Sequence, residues 1–453
     1  MNVVIFGAGL VGVTLARHLS EQTHNVTIID SSREAVTKIQ EKIDVQVIQG
    51  NASSDDVLED ADIEKADLVF AVTNSDETNI VLTLITHAQN ENARIFTRIR
   101  GEQYTSKARL WQADRFHNTR IFNPEQAATD AIVQLLTVPS AIEVIPFPDG
   151  AIKLAGFKLG HESLLIGSPL RELAKAGRKI PLIVAAEQNG EVHLPSGETV
   201  LSVGDRVYIT FDATAVGKDM YKLLGIRSYG RSSVIIVGGG GIGVRVGMGL
   251  SACGYSNITF IEKSIDRCHV LADMFPDAFI MNADATDLTF LMNMVGHPAA
   301  LVAVAGREEV NFLVALAAIR QGIPTVIPML DNESYLALAR DYGIESAISP
   351  KGATVGEILG SLRKGNIIKS APMMNGRLQA FMAKIESGSR LAHVTLAKAK
   401  IPKGILIAAV VRNNRVTVPN GATLLDEDDH ALILCATDLV SQIDDVLAVK
   451  VST

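Results

Sequence analysis

The chain has 453 residues, 47% of them apolar, and a formal net charge of −8. That length exceeds a single hydrophobic core and suits three or four domains. No Lys/Arg block stands out, which argues against a nucleic-acid partner. Cys253, Cys268 and Cys435 are odd in number and unrelated in spacing, which points to a reducing compartment and to no metal site. No run of about eighteen uninterrupted apolar residues occurs, and the first apolar run is a short strand rather than a signal peptide, so a cytoplasmic protein is expected.

The first element is a strand, Val3-Val4-Ile5-Phe6, with the β-branched content of a buried parallel strand. Gly7, Gly9 and Gly12 then fall at G-x-G-x-x-G spacing. The first glycine permits a tight turn, the second lets backbone N–H groups approach a pyrophosphate, and the third lets the next helix pack closely. The helix start offers phosphates unpaired N–H groups and a positive dipole end. Eighteen residues beyond Gly12, Asp30 ends the strand Val26 to Ile29. A carboxylate there accepts ribose hydroxyls and repels a 2′-phosphate.

A helix follows over Arg33 to Lys42, then a strand, Val45 to Ile48, leading to Gly50-Asn51-Ala52-Ser53. A helix ending near Lys65 precedes the strand Leu68 to Val72, which delivers Thr73 and Asn74 to a loop. Glu77 to Asn90 reads as a helix, Arg94 to Ile99 as a fifth strand, and Ile121-Phe122 as a short sixth ending in Asn123-Pro124. This alternation predicts a doubly wound parallel sheet, from which the helix Glu125 to Leu136 departs. From Ile142 to about Leu224 strands are shorter and turn signals denser, with hairpin turns at Asp149-Gly150 and Asn189-Gly190 and one helix, Pro169 to Ala176. That stretch reads as a small α+β lobe.

The chain then repeats itself. Val234 to Val237 precedes Gly238, Gly240 and Gly243, and Thr259-Phe260-Ile261 ends in Glu262, where Asp30 stood. Asn282-Ala283-Asp284-Ala285 matches Gln49-Gly50-Asn51-Ala52, Glu308-Glu309-Val310-Asn311 answers Asp76-Glu77-Thr78-Asn79, and Ser349-Pro350 answers Asn123-Pro124. Residues 406–435 align without a gap on 182–211, placing Asn413 on Asn189, Pro419 on Pro195, Gly421 on Gly197 and Asp429 on Asp205. The fold class is therefore α/β, with two Rossmann-like doubly wound parallel-sheet domains (1–138 and 231–368), each followed by a small α+β lobe (139–228 and 369–453). The junction falls near Tyr229 to Ser232.

A Rossmann half serves either a dehydrogenase or a sensor. A dehydrogenase needs a proton donor beside the nicotinamide. There is no Tyr-x-x-x-Lys pair; Tyr104-Thr-Ser-Lys107 has the wrong spacing. Of the histidines His18, His24, His87, His117, His161, His193, His269, His297, His393 and His430, none falls in a loop at a strand's carboxyl end beside a partnering acid, and none recurs in the second copy. They read as solvated or core residues, and Asp426 to Asp429 reads as a solvated acidic turn. Arg98 and Arg100 sit at the rim, at the carboxyl end of the fifth strand; Arg98 either meets phosphate or adenine, or pairs with a surface acid. The second copy has Met329 and Asp331 there, with Tyr335 matching Tyr104, and carries Arg307 and Arg245 in its loops instead. The two sites are expected to differ in affinity or ligand.

The segments GAGLVG…IID, GNA, TNSDETN, TRIRGEQY and FNPEQAA, doubled in this way, resemble tandem regulator-of-potassium-conductance (RCK) domains along essentially the whole chain. The resemblance implies a non-catalytic regulator, peripheral on the inner face of the membrane and bound to a potassium-transporting membrane subunit (TrkH-like). It also implies NAD(H) and ATP or ADP as ligands, and a ring of four chains. Carried over by position, it implies first-site contacts from Gly7, Ala8, Gly9, Leu10, Val11, Asp30, Asn51, Ala52, Thr73, Asn74 and Arg98. The second set is Gly238, Gly239, Gly240, Gly241, Ile242, Glu262, Asp284, Ala285, Ala305 and Gly306. Two departures are Asn51, where the family often has Asp, and the missing Arg98 equivalent. An NAD-dependent oxidoreductase and a regulator of a different transporter are the alternatives.

Overall fold

The computed structural model describes residues 1–105, 111, 116–147, 152–175, 181–212, 218–226, 233–287, 298–362, 367–374, 376–413 and 415–447. The expected hairpin at Asp149-Gly150 and the junction at Tyr229 to Ser232 lie outside them.

The first segment runs β1 (Asn2–Phe6), α1 (Leu10–Glu21), β2 (Asn25–Asp30), α2 (Arg33–Gln40), β3 (Gln46–Gln49), α3 (Asp55–Asp60), β4 (Leu68–Ala71), α4 (Asp76–Gln89), β5 (Arg94–Arg98), α5 (Glu102–Thr105), β6 (Thr119–Phe122) and α6 (Pro124–Leu136). Its six parallel strands stand in the order β3-β2-β1-β4-β5-β6. Val3 to Phe6 and Leu68 to Ala71 are buried without alternation, as strands covered on both faces require. Each such side chain contributes roughly 1.5–3 kcal/mol by leaving water.

The first small lobe runs β7 (Ala141–Pro146), β8 (Ile152–Lys158), α7 (Leu170–Lys175), β9 (Leu182–Gln188), β10 (Glu191–His193), β11 (Arg206–Asp212) and α8 (Lys218–Leu224), with sheet order β10-β9-β11-β8-β7. Asn189 and Gly190 both have positive φ, 52° and 82°, so the β9–β10 hairpin turns where its sequence predicts.

The second glycine-loop segment runs β12 (Val234–Val237), α9 (Gly241–Ala252), β13 (Ile258–Glu262), α10 (Ile265–Met274), β14 (Phe279–Asn282), β15 (Ala300–Ala303), α11 (Glu308–Arg320), β16 (Thr325–Pro328), α12 (Glu333–Asp341) and α13 (Pro350–Leu362). Its sheet order, β14-β13-β12-β15-β16, repeats the first without a sixth strand; a single parallel bridge, Met329 to Ile348, stands at that edge. The second small lobe runs β17 (Ile367–Met373), β18 (Leu378–Lys384), β19 (Val394–Thr395), β20 (Ile405–Arg412), β21 (Arg415–Thr417), β22 (Leu424–Leu425), β23 (His430–Ala436) and α14 (Ile443–Leu447). Its main sheet, β17-β18-β23-β20-β21, is the strand-for-strand counterpart of the first lobe's, and β19 pairs with β22. Even the register shifts recur, at Ala141/Glu143 and at Ile367/Lys369.

Two units arise, and their division is not linear in sequence. One comprises Met1–Ala128 with Ser349–Ile358, so it holds the first sheet and most of α13. The other comprises Thr129–Ile348 with Leu359–Thr453, so it holds the second sheet, both small lobes and the carboxyl-terminal part of α6. Within that second unit Val133 of α6 presses on Gly249 of α9, where a Cβ would come within 2.8 Å of it, and the Tyr255 hydroxyl donates to the Leu136 carbonyl at 2.6 Å. One apolar cluster continues from Ile132 and Leu135 through Phe157 and Val207 to Ile236, Phe260 and Val302. A second joins the two small-lobe sheets through Leu154, Val184 and Tyr208 on one side and Ala380, Met382, Ala408 and Leu432 on the other. No helix among the described residues is long and apolar enough to cross a membrane.

Candidate functional site

In the first sheet the strand order reverses between β1 and β4, so the loops leaving their carboxyl ends diverge and open a crevice. Gly7 lies there at φ 108°, and a Cβ on it would stand 2.8 Å from the Val72 carbonyl oxygen. A Cβ on Gly12 would stand 1.9 Å from the Gly7 carbonyl oxygen. Packing therefore demands both glycines. Gly9 differs: it N-caps α1 at φ −70°, and a Cβ there would meet nothing within 4 Å. The space in front of it is free. No side chain caps α1, and its first turn holds no acid, so the helix start keeps its N–H groups and its positive dipole end. Of the other expected loop residues, the Leu10 side chain is exposed and that of Val11 is buried in the core, which leaves their backbone N–H groups as what they offer a ligand.

Asp30 braces this loop. Its Oδ2 accepts from the Ala8 N–H at 2.7 Å and its Oδ1 from the Ser32 N–H at 2.8 Å. Each carboxylate oxygen keeps a lone pair for a further donor, such as a ribose hydroxyl. Asn51, beside Ala52 at the end of β3, accepts from the Ser53 N–H and hydroxyl at 3.2 and 3.0 Å. Thr73 and Asn74 follow β4, and they are held by a residue absent from the expected site set. The Asn79 side chain, fully buried in α4, accepts from the Thr73 N–H and hydroxyl and donates to the carbonyls of Thr73 and Arg98. One amide thus ties the carboxyl ends of β4 and β5 together.

The two arginines of the rim have separate fates. Arg100 takes the ion-pair reading: Asp76 accepts from the Arg100 and Gly101 N–H groups at 2.9 and 2.8 Å and lies 3.5 Å from the Arg100 Nε, while an Arg100 Nη donates to the Asn74 carbonyl. Arg98 does not. Its Nε is buried with no hydrogen-bond partner among the described residues, and burial, then the neighbouring Arg100, pulls its pKa below the usual arginine value. A buried guanidinium N–H without an acceptor is costly unless something supplies one. Phosphate and carboxyl oxygens do so with charge-assisted bonds.

The second rim repeats the frame with changed side chains. Gly238 lies at φ 105°, a Cβ on Gly243 would stand 2.0 Å from the Gly238 carbonyl oxygen, and Gly240 and Gly306 are open. Glu262 accepts from the Gly239 N–H at 2.7 Å and the Ser264 N–H at 2.8 Å, as Asp30 does. Asp284, beside buried Ala285, accepts from the Thr286 N–H and hydroxyl, the same turn that Asn51 makes, so either side chain serves there. Lys263 also bonds Asp284 at 2.7 Å, and this bond, with those from Thr286, holds the carboxyl below its ordinary pKa. Asn311 accepts from the Ala305 N–H and donates to the Ala305 and Met329 carbonyls, and Glu308 accepts from the Asp331 and Asn332 N–H groups. Gly241 and Ile242 open α9, with Ile242 packed on the core. Of the two arginines expected in the loops, Arg307 N-caps α11 near Glu309, whereas Arg245 lies within helix α9 rather than in a loop. A further cation, Arg267 of α10, donates from Nε to the Gly239 carbonyl at 2.6 Å. It lies in the first turn of the helix that follows Glu262, and spacing alone did not single it out.

Two of the histidines and the acidic turn lie away from the glycine loops. His87 is buried and bonded to the Thr119 hydroxyl, with its ring edge-on to Phe116. His393 lies near Asp426 and Glu427, but in the second small lobe rather than at a glycine loop. The turn Asp426 to Asp429 is not wholly solvated: Asp429 is buried and bonded to Arg412, because its carboxylate closes the turn through the Asp426 N–H. No cluster of His, Cys, Asp or Glu suited to a metal occurs among the described residues. A groove of about 720 Å³ lies at the amino ends of β1 to β3, lined by Asn2, His24, Asp44 and Asp60, at the edge away from the glycine loop.

The TrkA-N domain profile matches residues 3–119 and again 234–350, and the TrkA-C domain profile matches 381–448. The Trk system potassium uptake protein TrkA of Vibrio alginolyticus is 28% identical over 439 residues, 96% of this chain and 95% of that protein. The TrkA homolog 1 of Methanosarcina mazei is 29% identical over 452 residues, 98% of this chain and 99% of that one. Among solved structures, the GsuK RCK domain superposes with a TM-score of 0.60 at 16% identity, over 98% of this chain and 94% of that one. The GsuK channel bound to NAD superposes with a TM-score of 0.59 at 16% identity, over 98% and 78%; at this identity the likeness is one of fold. With two TrkA-N domains spanning more than half its residues, the chain belongs to the TrkA-N domain family, in the tandem layout of the Trk system potassium uptake proteins TrkA.

Proposed function

We propose that this chain is a nucleotide-binding regulatory subunit of a Trk-type potassium uptake system, without catalysis of its own, acting from the cytoplasmic face on a TrkH-like membrane subunit. The observation that carries the reading is the doubled glycine loop and its bracing acid in a chain that matches TrkA proteins along nearly its whole length. The first rim fits NAD(H) or ATP/ADP in three respects: free space before Gly9, an acceptor for a ribose diol at Asp30, and a buried Arg98 Nε without an acceptor among the described residues. The nucleotide supplies charge and shape rather than chemistry. The chain's residues bind it and hold the loops after β1, β4 and β5 in one arrangement through Asp30 and Asn79. The contacts proposed are those given by position above, Arg98 among them.

A ligand shifts a gate only by binding one conformation better than another. A coupling of about 1–3 kcal/mol per site is typical. A ring of four chains, with two rims each, sums such terms past the roughly 5.5 kcal/mol that swings a two-state element from mostly shut to mostly open. The test is potassium flux through the reconstituted membrane subunit, with and without this chain, in NADH, ATP and ADP. A flux that depends on both chain and nucleotide supports the reading. Unchanged flux with nucleotide binding intact overturns it for that partner.

A further inference from the structure

The two rims carry different charge where a ligand's far end would lie. Beyond the crevice of the first rim stands Arg98, half-buried, with its Nε buried and without a hydrogen-bond partner among the described residues. The aligned residues of the second rim are Met329 and, for Arg100, Asp331, and Asn311 fixes the Met329 carbonyl as Asn79 fixes that of Arg98. The backbone frame is kept while the cation is gone. At the adenosine end the exchange runs the other way. Lys263 and Arg267 stand where the first copy has Ser31 and Ala35, and Ile265 replaces Arg33. Arg267 is half-buried, and its Nε bond to the Gly239 carbonyl sets the guanidinium plane against the glycine loop, one turn from the ribose acceptor Glu262. Gly239 accommodates this crowding: a Cβ there would stand 2.5 Å from the Leu271 Cδ1 and 3.1 Å from the Glu262 Oε2.

We infer that the second rim is selective for an adenine mononucleotide, with the base stacked on the Arg267 guanidinium and the phosphate ending at Gly240, and that it discriminates against the dinucleotides the first rim accepts. A planar, fixed guanidinium is suited to stacking on an aromatic base. The helix start of α9 satisfies one phosphate. A second phosphate or a nicotinamide half extending towards β16 finds Met329 where the first rim has Arg98, so no guanidinium meets it at that position. This inference rests on the second rim being a nucleotide site, and Arg267 is its specificity-determining residue.

The test is equilibrium dialysis of the full chain with labelled AMP and NADH, using melting curves to discard variants that do not fold. In a chain whose first rim is disabled by Asp30→Ala, or by Arg98→Met, AMP binding persists and NADH competes at least about tenfold more weakly than AMP. Adding Arg267→Ala lowers AMP affinity about tenfold or more. Arg267→Lys, which keeps the charge without the plane, recovers only part of it. Met329→Arg raises NADH affinity at this rim. Equal competition by NADH, or AMP affinity indifferent to Arg267→Ala, overturns the inference. Loss of all AMP binding with NADH still held at the first rim of the unmutated chain also overturns it, while leaving the first-rim reading intact. NADH binding that neither Asp30→Ala nor Arg98→Met alters removes the nucleotide assignment itself.

Discussion

Among single residues, the three glycines of the first loop separate folding from binding. A methyl on Gly12 collides with the Gly7 carbonyl at 1.9 Å, whereas a methyl on Gly9 enters free space. Gly12→Ala should therefore unfold or strongly destabilise the first unit, by about 3 kcal/mol or more. Gly9→Ala should melt within about 2 °C of the parent yet bind nucleotide at least about tenfold more weakly, because the added methyl fills the space where a phosphate meets the helix start. Melting curves and titration on the two variants check this, and equal binding by Gly9→Ala would remove the phosphate from this loop. Asn79 makes the complementary case. Its amide satisfies groups on two strand ends, so Asn79→Ala strands several buried partners and is expected to cost about 2–4 kcal/mol, read as a lowered denaturant midpoint. That residue was visible in the sequence only as part of a repeated tetrapeptide, Asp76 to Asn79 with Glu308 to Asn311. Its role depends on which strand ends its helix passes, and spacing does not give that.

Among elements, the paired small lobes hold a titratable contact. Glu143, at the register shift of β7, accepts from the Tyr208 hydroxyl at 2.6 Å and from the Met374 N–H at 3.3 Å, joining the sheet of the first lobe to the end of β17. Burial pushes its pKa above the ordinary 4.5, against the pull of those two bonds, and burial also pushes the Tyr208 hydroxyl up. The folded chain thus holds this proton at pH values where the unfolded chain has released it. Stability from this group accordingly falls as pH rises from the unfolded value through the folded one. Glu143→Gln keeps an acceptor oxygen and removes the titration. It should raise the melting temperature at about pH 8, with the gain shrinking towards about pH 4. A gain equal at both ends would show that burial of this carboxyl is not the cause. The counterpart of Glu143 across the repeat is Lys369, which donates to the Pro146 carbonyl of the other lobe.

In the molecule as a whole, one charge network spans three parts of the second unit. Arg206 bonds Glu187 at 3.0 Å and Glu345 at 2.6 Å, Lys158 also bonds Glu345, and Arg377 of the second lobe bonds Glu187. Burial raises and the arginine bonds lower the Glu187 pKa, with lowering prevailing. Its contribution is therefore present above the unfolded carboxylate pKa and lost as pH falls through the folded one. Arg206→Ala leaves two partly buried carboxylates facing each other and is expected to destabilise the second unit by about 1–3 kcal/mol. Nucleotide affinity at the first rim should be unchanged, and dependence of potassium flux on nucleotide should weaken. Flux that still follows nucleotide fully would place the transmission elsewhere.

The sequence by itself determined the strands, the two glycine loops with Asp30 and Glu262, the internal repeat and the family. All of these rest on local chemistry: β-branched runs, turn glycines and an acid at a strand end are fixed by a few neighbouring residues. Tertiary structure decided what depends on distant partners. It left the Arg98 Nε without an acceptor among the described residues while giving Arg100 to Asp76, and it set Arg267 against Gly239. It buried Asp429 within a turn that reads as solvated, and it reduced the sixth strand of the second sheet to one bridge. It also assigned Ser349–Ile358 to the first unit and the end of α6 to the second, because a helix buries its apolar face wherever the complementary surface lies, and nothing in a helix's own periodicity names that surface.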